Sequence, residues 1–175
     1  AEDFSVSLAT SAEQLAVCEA ISGWATRRRT TDIIRADLEK SRDQWRELFP
    51  ELAELGLFAA LLDESQGGVG ATFADVAAMV EQCGTSLVPG PIGETLVAAL
   101  AVSMSVESHA AGLLDALASG QVGAAVPALA RAGAEAVVSD GGVDLGVVVG
   151  YVDGSAVLTR LTGTGVEAGW HVIPP

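Results

Sequence analysis

Positive charge is scarce in this chain. Lys40 is the only lysine, and nine basic residues stand against 23 acidic ones, for a net charge of −14 over 175 residues. Nucleic-acid binding is driven by Lys and Arg releasing counterions from phosphates, so this balance excludes a nucleic-acid partner. The deficit is uneven. Before position 50, Arg27, Arg28, Arg29, Arg35, Lys40, Arg42 and Arg46 offset nine acids, whereas beyond it only Arg131 and Arg160 face fourteen. Long apolar runs are also missing. The stretch Leu96 to Val106 is interrupted by Ser103 and Ser105 and falls short of the ~20 residues that span a bilayer, so no membrane segment is expected. Ala1-Glu2-Asp3-Phe4 is not a basic start followed by an apolar run, so no signal peptide is expected and a cytoplasmic location is the default.

Cysteine and histidine are nearly absent too. Cys18 and Cys83 lack C-x-x-C spacing and fall in helical patterns; two cysteines cannot make a disulfide scaffold, and plain buried thiols are expected. His109 and His171 have no partner at metal-ligand spacing, so no metal site is expected. What the chain does have is apolar material. Half of it is hydrophobic, enough for one or two domains.

The first section reads as helices. Ser11-Ala12-Glu13-Gln14 matches a capping box, in which a Ser hydroxyl and a Gln side chain satisfy each other's backbone donors, so a helix is expected from about Ala12. Leu15, Cys18, Ile21 or Ser22, and Ala25, with Trp24 beside them, form its inward stripe to about Arg28. The Arg27–Arg29 run suits a solvated helix end, where cations complement the macrodipole. Residues 30–42 read as a connection with a turn or two of helix, anchored by Ile33, Ile34 and Leu38. Asp43 is the next N-cap candidate, and Trp45, Leu48, Phe49, Leu52 and Leu55 form a face that stops at Gly56. Pro50 lies inside it, so the helix either kinks or restarts there.

Leu57 to Leu62 is a short apolar run, buried whatever its geometry. Thr72-Phe73-Ala74-Asp75 is a second capping box, opening a helix that stops at Gly84. Pro89-Gly90-Pro91 breaks the chain. A helix from about Glu94 turns Leu96, Val97, Leu100 and Ala101 inward, and Ser105 caps another that carries Leu113, Leu114 and Leu117. The short connections suit a bundle.

After Gly120 the period changes. Gly123 to Ala130, Ala134 to Val138, Leu145 to Val149 and Ala156 to Leu161 read as strands, with turn signals at Asp140-Gly141-Gly142 and Asp153-Gly154. Too few strands can be counted to complete a barrel or sandwich. The glycines of Gly67-Gly68-Val69-Gly70 lack the Lys-Ser/Thr ending of a phosphate loop, and Gly163, Gly165 and Gly169 miss the dinucleotide spacing, so both groups read as turns. Asp63-Glu64 reads as a solvated loop edge rather than an acid/base pair. No Ser/His/Asp or Cys/His arrangement is visible, and spacing alone identifies no catalytic group.

The ordered run from Trp45 to Gly90 nevertheless resembles the N-terminal helical domain of the flavin-dependent acyl-CoA dehydrogenases. The matching residues are Trp45, Leu55-Gly56-Leu57, Glu64 with Gly67-Gly68 and Gly70, and Glu81 with Gly84. Val88-Pro89-Gly90-Pro91 followed by Thr95 is similar to an actinobacterial branch whose members handle bulky CoA thioesters such as steroid side chains. There are departures. Asp63 stands where the family has proline, and Pro127-Ala128-Leu129-Ala130-Arg131-Ala132-Gly133 shows nothing of the family's Thr-Glu-Pro-x-Ala-Gly-Ser-Asp segment, which helps hold flavin and substrate. The run from Gly146 to Gly154 looks compressed, as if a loop were missing around Gly150.

The resemblance implies an α+β fold: an all-α helical bundle over residues 1–120, an incomplete middle β domain over 121–175, and no C-terminal helical domain, where the family keeps its catalytic glutamate. It implies FAD as cofactor, an acyl-CoA substrate dehydrogenated at its alpha and beta carbons, and a homo- or hetero-oligomer, dimer or tetramer. Val88, Ile92, Thr95 and Leu96 would line the acyl pocket. Two readings stay open: part of a complete enzyme, or a non-catalytic partner subunit or half of a heteromeric one. A third, an unrelated helical interaction domain, would make the ordered match a coincidence.

Overall fold

The computed structural model describes residues 11–39, 44–104, 108–127, 144–152, 155–162, 165–166 and 171–173. Helix α1 (Ala12–Arg28) opens on the expected capping box, with Gln14 N donating to Ser11 Oγ and Ser11 N donating to Gln14 Oε1, both at 3.0 Å. It ends where Arg29 turns left-handed, at φ 54°. Ile21, Trp24 and Ala25 are buried, but Leu15, expected on the inward stripe, is 53% exposed. The first turn is held by a polar contact instead, Gln14 Nε2 donating to Asp75 Oδ1 at 2.7 Å.

Helix α2 (Thr30–Glu39) is longer than the turn or two expected. Its charged face hides its anchors: Thr30 is buried and donates its hydroxyl to Ser86 O at 2.7 Å, and Ile33 packs on the core. A 3-10 turn, Gln44–Leu48, leads into α3 (Phe49–Glu54), with Pro50 in its first turn. The missing proline N–H costs nothing there, so the chain restarts rather than kinks. Leu57, Phe58, Ala60 and Leu62 are buried in successive turns, as the apolar run implies.

Gly67 (φ 82°) and Gly70 (φ 60°) make the expected turn. Helix α4 (Phe73–Thr85) then starts on the Thr72–Asp75 box and runs one residue past Gly84. It lies parallel to α1, since the paired positions Gln14–Asp75, Cys18–Ala78 and Thr30–Ser86 climb both segments together.

Helix α5 (Ile92–Ser103) begins two residues before Glu94. It buries Ile92, Thr95, Leu96, Ala98, Ala99, Ala101 and Val102, while Val97, expected inward, is 53% exposed. The helix is enclosed by the core, α6 and the sheet, which leaves the face of Gly93, Val97 and Met104 outward. In α6 (Ser108–Ala118), Leu114 and Leu117 are buried.

Strand β1 (Gly123–Pro127) pairs parallel with β2 (Leu145–Val152), from Gly123 opposite Leu145 to Pro127 opposite Val149. β2 pairs antiparallel with β3 (Ser155–Thr162), which also carries β4 (Gly165–Val166) and β5 (His171–Ile173). Gly150 sits opposite Val157 in unbroken register, so the ladder carries no interruption at the place expected to be compressed. The result is the expected α+β fold, with β1 laid against α5. The proposed caps Asp43 and Ser105, the run Ala134 to Val138, the turns at Asp140-Gly141-Gly142 and Asp153-Gly154, and Gly163 and Gly169 lie outside the described residues.

Candidate functional site

The corner before α5 is shaped by aromatic rings. Trp45 meets Phe49 edge-on with centroids 5.1 Å apart, and Phe49 stacks on Phe58 at 5.1 Å. Gly90 lies on this group at φ 103°; a Cβ there would come within 2.5 Å of the Phe49 ring and 2.6 Å of Trp45. Only glycine satisfies both the backbone angle and the approach. The Pro-Gly-Pro corner therefore sits close on the core, and α5 starts against it.

The four residues expected to line an acyl pocket occupy this corner and the first turns of α5. Ile92 and Leu96 are buried in the aromatic-rich core, and Val88 packs partly buried against it. Thr95 is fully buried and faces the sheet. Its Oγ1 lies 2.8 Å from Pro91 O and 3.0 Å from Gly123 O, and it accepts from Gly123 N at 3.2 Å. The single hydroxyl proton serves the two carbonyls in turn, and the oxygen serves the amide.

A second tie joins the same place. Asp144 accepts from Arg46 Nη1 at 2.9 and 3.1 Å and from Val122 N at 3.1 Å, while its own N–H donates to Val122 O at 2.9 Å. The Arg46 guanidinium also lies over the Trp45 ring, 5.1 Å from its centroid. Sequence reasoning missed this contact. Arg46 and Asp144 are 98 positions apart, and neither stands in a motif.

Just before this corner in the chain, a cleft of about 430 Å³ opens where α1 and α4 end and α2 begins. Ser22, Thr26, Thr30, Thr31, Thr85 and Ser86 give it a hydroxyl-rich lining. Arg29 and Leu87, the two non-glycine residues with positive φ among the described residues, also border it. Several of its polar groups are already engaged: Thr30 with Ser86 O, Gln82 with Ser86 Oγ, and Arg29 with Asp32.

Neither of the two thiols is set up as a nucleophile. Burial, and secondarily Glu81, pushes the Cys18 thiol up. Burial, aided by Cys18, raises Cys83 from 9.0 to about 11. Both therefore stay protonated near neutral pH, as plain thiols do. Asp75 moves the other way: Thr72 and then Gln14 donate hydrogen bonds that hold its carboxyl below the usual range. Asp63 and Glu64 are exposed. Among the described residues no cluster of His, Cys, Asp and Glu could hold a metal ion, and no helix is long and apolar enough to cross a membrane. The side chains of His109 and His171 and the segment Ala128–Gly133 lie outside the description.

Comparison with known proteins gives this geometry a context. The profile described as "Acyl-CoA dehydrogenase, N-terminal domain" matches residues 11–121. The chain is 38% identical over 99 residues to acyl-CoA dehydrogenase FadE34 of Mycobacterium tuberculosis strain H37Rv, covering 52% of this chain and 14% of that protein. Among solved structures, the Tcur3481-Tcur3483 steroid ACAD G363A variant superposes with a TM-score of 0.67 at 22% identity, over 87% of this chain and 48% of that one. The ChsE4-ChsE5 complex from Mycobacterium tuberculosis gives 0.63 at 18%, over 89% and 48%. The FAD complex of PigA gives 0.62 at 17%, over 99% and 57%. At these identities the three structures speak for the fold. The chain spans about half the length of these solved chains and far less of the curated relative.

Proposed function

The chain belongs to the acyl-CoA dehydrogenase family, and on that premise we propose that it forms the helical and early sheet part of an enzyme that dehydrogenates an acyl-CoA thioester at its alpha and beta carbons. The observation that carries this reading is the run from Trp45 to Gly90. Its helix, apolar turns, glycine turn and capped helix fold in the order of the family's N-terminal domain, inside the matched residues 11–121. In this reading Val88, Ile92, Thr95 and Leu96 form the α5 side of the acyl pocket. The packing of Ile92 and Leu96 against Phe49 and Trp45 gives that wall a rigid backing. Rigid walls position a flexible substrate with little ordering cost at the moment of reaction. A bulky acyl group, such as a steroid side chain, is the proposed substrate class, in a cytoplasmic homo- or hetero-oligomer.

FAD is the proposed electron acceptor, the cofactor that membership of the family implies. Gly123–Pro127 reads Gly-Ala-Ala-Val-Pro, with no charged or aromatic group for a flavin ring or pyrophosphate. Asp144, the charged side chain at the strand's start, is an anion already engaged by Arg46 and Val122 N. A flavin needs other groups for its hold. The departure of Pro127-Ala128-Leu129-Ala130-Arg131-Ala132-Gly133 from the family's flavin-holding segment supports a second reading, in which the chain is a non-catalytic half that supports the active site of a partner.

The two readings separate by spectroscopy. The full gene product, purified without added cofactor, should show a flavin absorbance that bleaches when an acyl-CoA is added. A colourless protein that becomes active only with a second polypeptide would establish the partner reading instead.

A further inference from the structure

The hydroxyl proton of Thr95 is already committed to the backbone. The residue is fully buried, its proton serves Pro91 O and Gly123 O, and its oxygen accepts from Gly123 N. Both polar groups of Gly123, the first residue of β1, therefore meet one side chain of α5. The approach is close on every side: a Cβ at Gly123 would come within 3.0 Å of Ala98 Cβ and closer still to Leu117. Three residues earlier, Gly120 has φ 94°, and a Cβ there would lie 2.6 Å from Phe49 O. The segment from Gly120 to Gly123 is thus seated in a slot between α3, α5 and α6.

We infer that Thr95 is a positioning residue: through its hydroxyl it clamps the start of β1 onto α5 and so sets the separation between the sheet and the wall formed by Ile92 and Leu96. This rests on the acyl-CoA reading above. It replaces the lining role given to Thr95 in that reading with the spacing of the pocket and leaves contact with the acyl group to Val88, Ile92 and Leu96. A neutral hydroxyl suits this task because it can bond an amide and a carbonyl of one residue together, which neither a carboxylate nor an ammonium can do.

Two substitutions separate this role from direct contact. Thr95→Val keeps the shape and removes the hydroxyl; Thr95→Ser keeps the hydroxyl and removes a methyl. The full gene product, with any partner it requires, is assayed on octanoyl-CoA and on a steroid side-chain CoA thioester, and the ratio of the two kcat/KM values is read. This ratio is unaffected by a smaller folded fraction. If Thr95 sets the spacing, Thr95→Val shifts the ratio by on the order of three- to tenfold, the effect of one lost hydrogen bond, and Thr95→Ser leaves it unchanged. A shift with Thr95→Ser and none with Thr95→Val would overturn the proposal in favour of contact through shape. Where Thr95→Val does not fold, Thr95→Ser alone decides, since contact requires a shift and positioning requires none.

Hydrogen exchange at the Gly123 amide tests the clamp without reference to activity. Protection should fall by on the order of tenfold or more in Thr95→Val and persist in Thr95→Ser. Unchanged protection in Thr95→Val overturns the clamp whatever the kinetics. A wild-type protein that turns over neither thioester but loses protection in Thr95→Val retires the functional reading and keeps the clamp.

Discussion

The helical part has two apolar cores that meet along α5 and are built from different materials. The first holds Trp45, Phe49 and Phe58, with Ile21, Leu48, Leu52 and Leu57 around them. The second has no aromatic ring: it consists of Leu62, Ala98, Ala99, Ala101, Val102, Leu114 and Leu117. Large rings fill volume and brace the corner on which Gly90 and α5 rest. Alanines do the opposite and let backbones close in, so that α5 can meet β1 at Gly123. One core sets the direction of α5 and the other sets its distance from the sheet.

Truncation tests that division. Phe49→Ala removes a fully buried ring that stacks on Phe58 and meets Trp45 edge-on and should cost ~3–5 kcal/mol of stability, read by urea denaturation. Leu117→Ala, the corresponding cut in the second core, removes fewer contacts; ~2–4 kcal/mol is expected. If Leu117→Ala proved the costlier of the two, the ring-braced core would not be the dominant one. Gly120→Ala probes the junction: a positive φ costs on the order of 1–3 kcal/mol in a non-glycine residue, and the clash with the Phe49 backbone adds to it.

Titration sharpens the comparison with smaller effects. The pKa of Cys83 in the first core, about 11, is raised above its ordinary 9.0. Its contribution is therefore whole below pH 9 and is lost as pH rises through about 11. Cys83→Ala should show a shallower loss of stability between pH 9 and 11. Asp75 gives the smallest effect, at the rim, with the opposite sign. Its depressed pKa contributes stability above the ordinary carboxylate value of 3.8, and this is lost as pH falls below it. Asp75→Asn should lower the denaturation midpoint at pH 7 and leave it near that of the wild type at acid pH.

Much of the helical part was legible because its signals are local. Ser11–Gln14 and Thr72–Asp75 start helices with atoms three positions apart, and Gly56, Gly67 and Gly90 adopt the positive φ that breaks such runs. The apolar spacing was less reliable. Leu15 and Val97 fit their stripes, yet both are exposed, because a stripe gives the period of a face and not what stands opposite it. Helix α2 was underestimated for the converse reason: Thr30 is a buried anchor that reads as a polar loop residue. In the candidate site, Val88, Ile92, Thr95 and Leu96 were singled out by resemblance, and spacing alone would have treated them as ordinary helix packing.

By itself, then, the sequence determined where helices begin and break, that a strand-rich section follows Gly120, and to which family the ordered run from Trp45 to Gly90 belongs. These follow from short-range hydrogen bonding and backbone sterics, which act between residues a few positions apart. Only the tertiary structure decided that Gln14 of one capping box bonds Asp75 of the other, that Arg46 finds Asp144, and that Thr95 uses its hydroxyl to clamp Gly123. Those partners lie 61, 98 and 28 positions apart. Nothing local selects such pairs, because each polar group has many acceptable partners until packing brings one within reach.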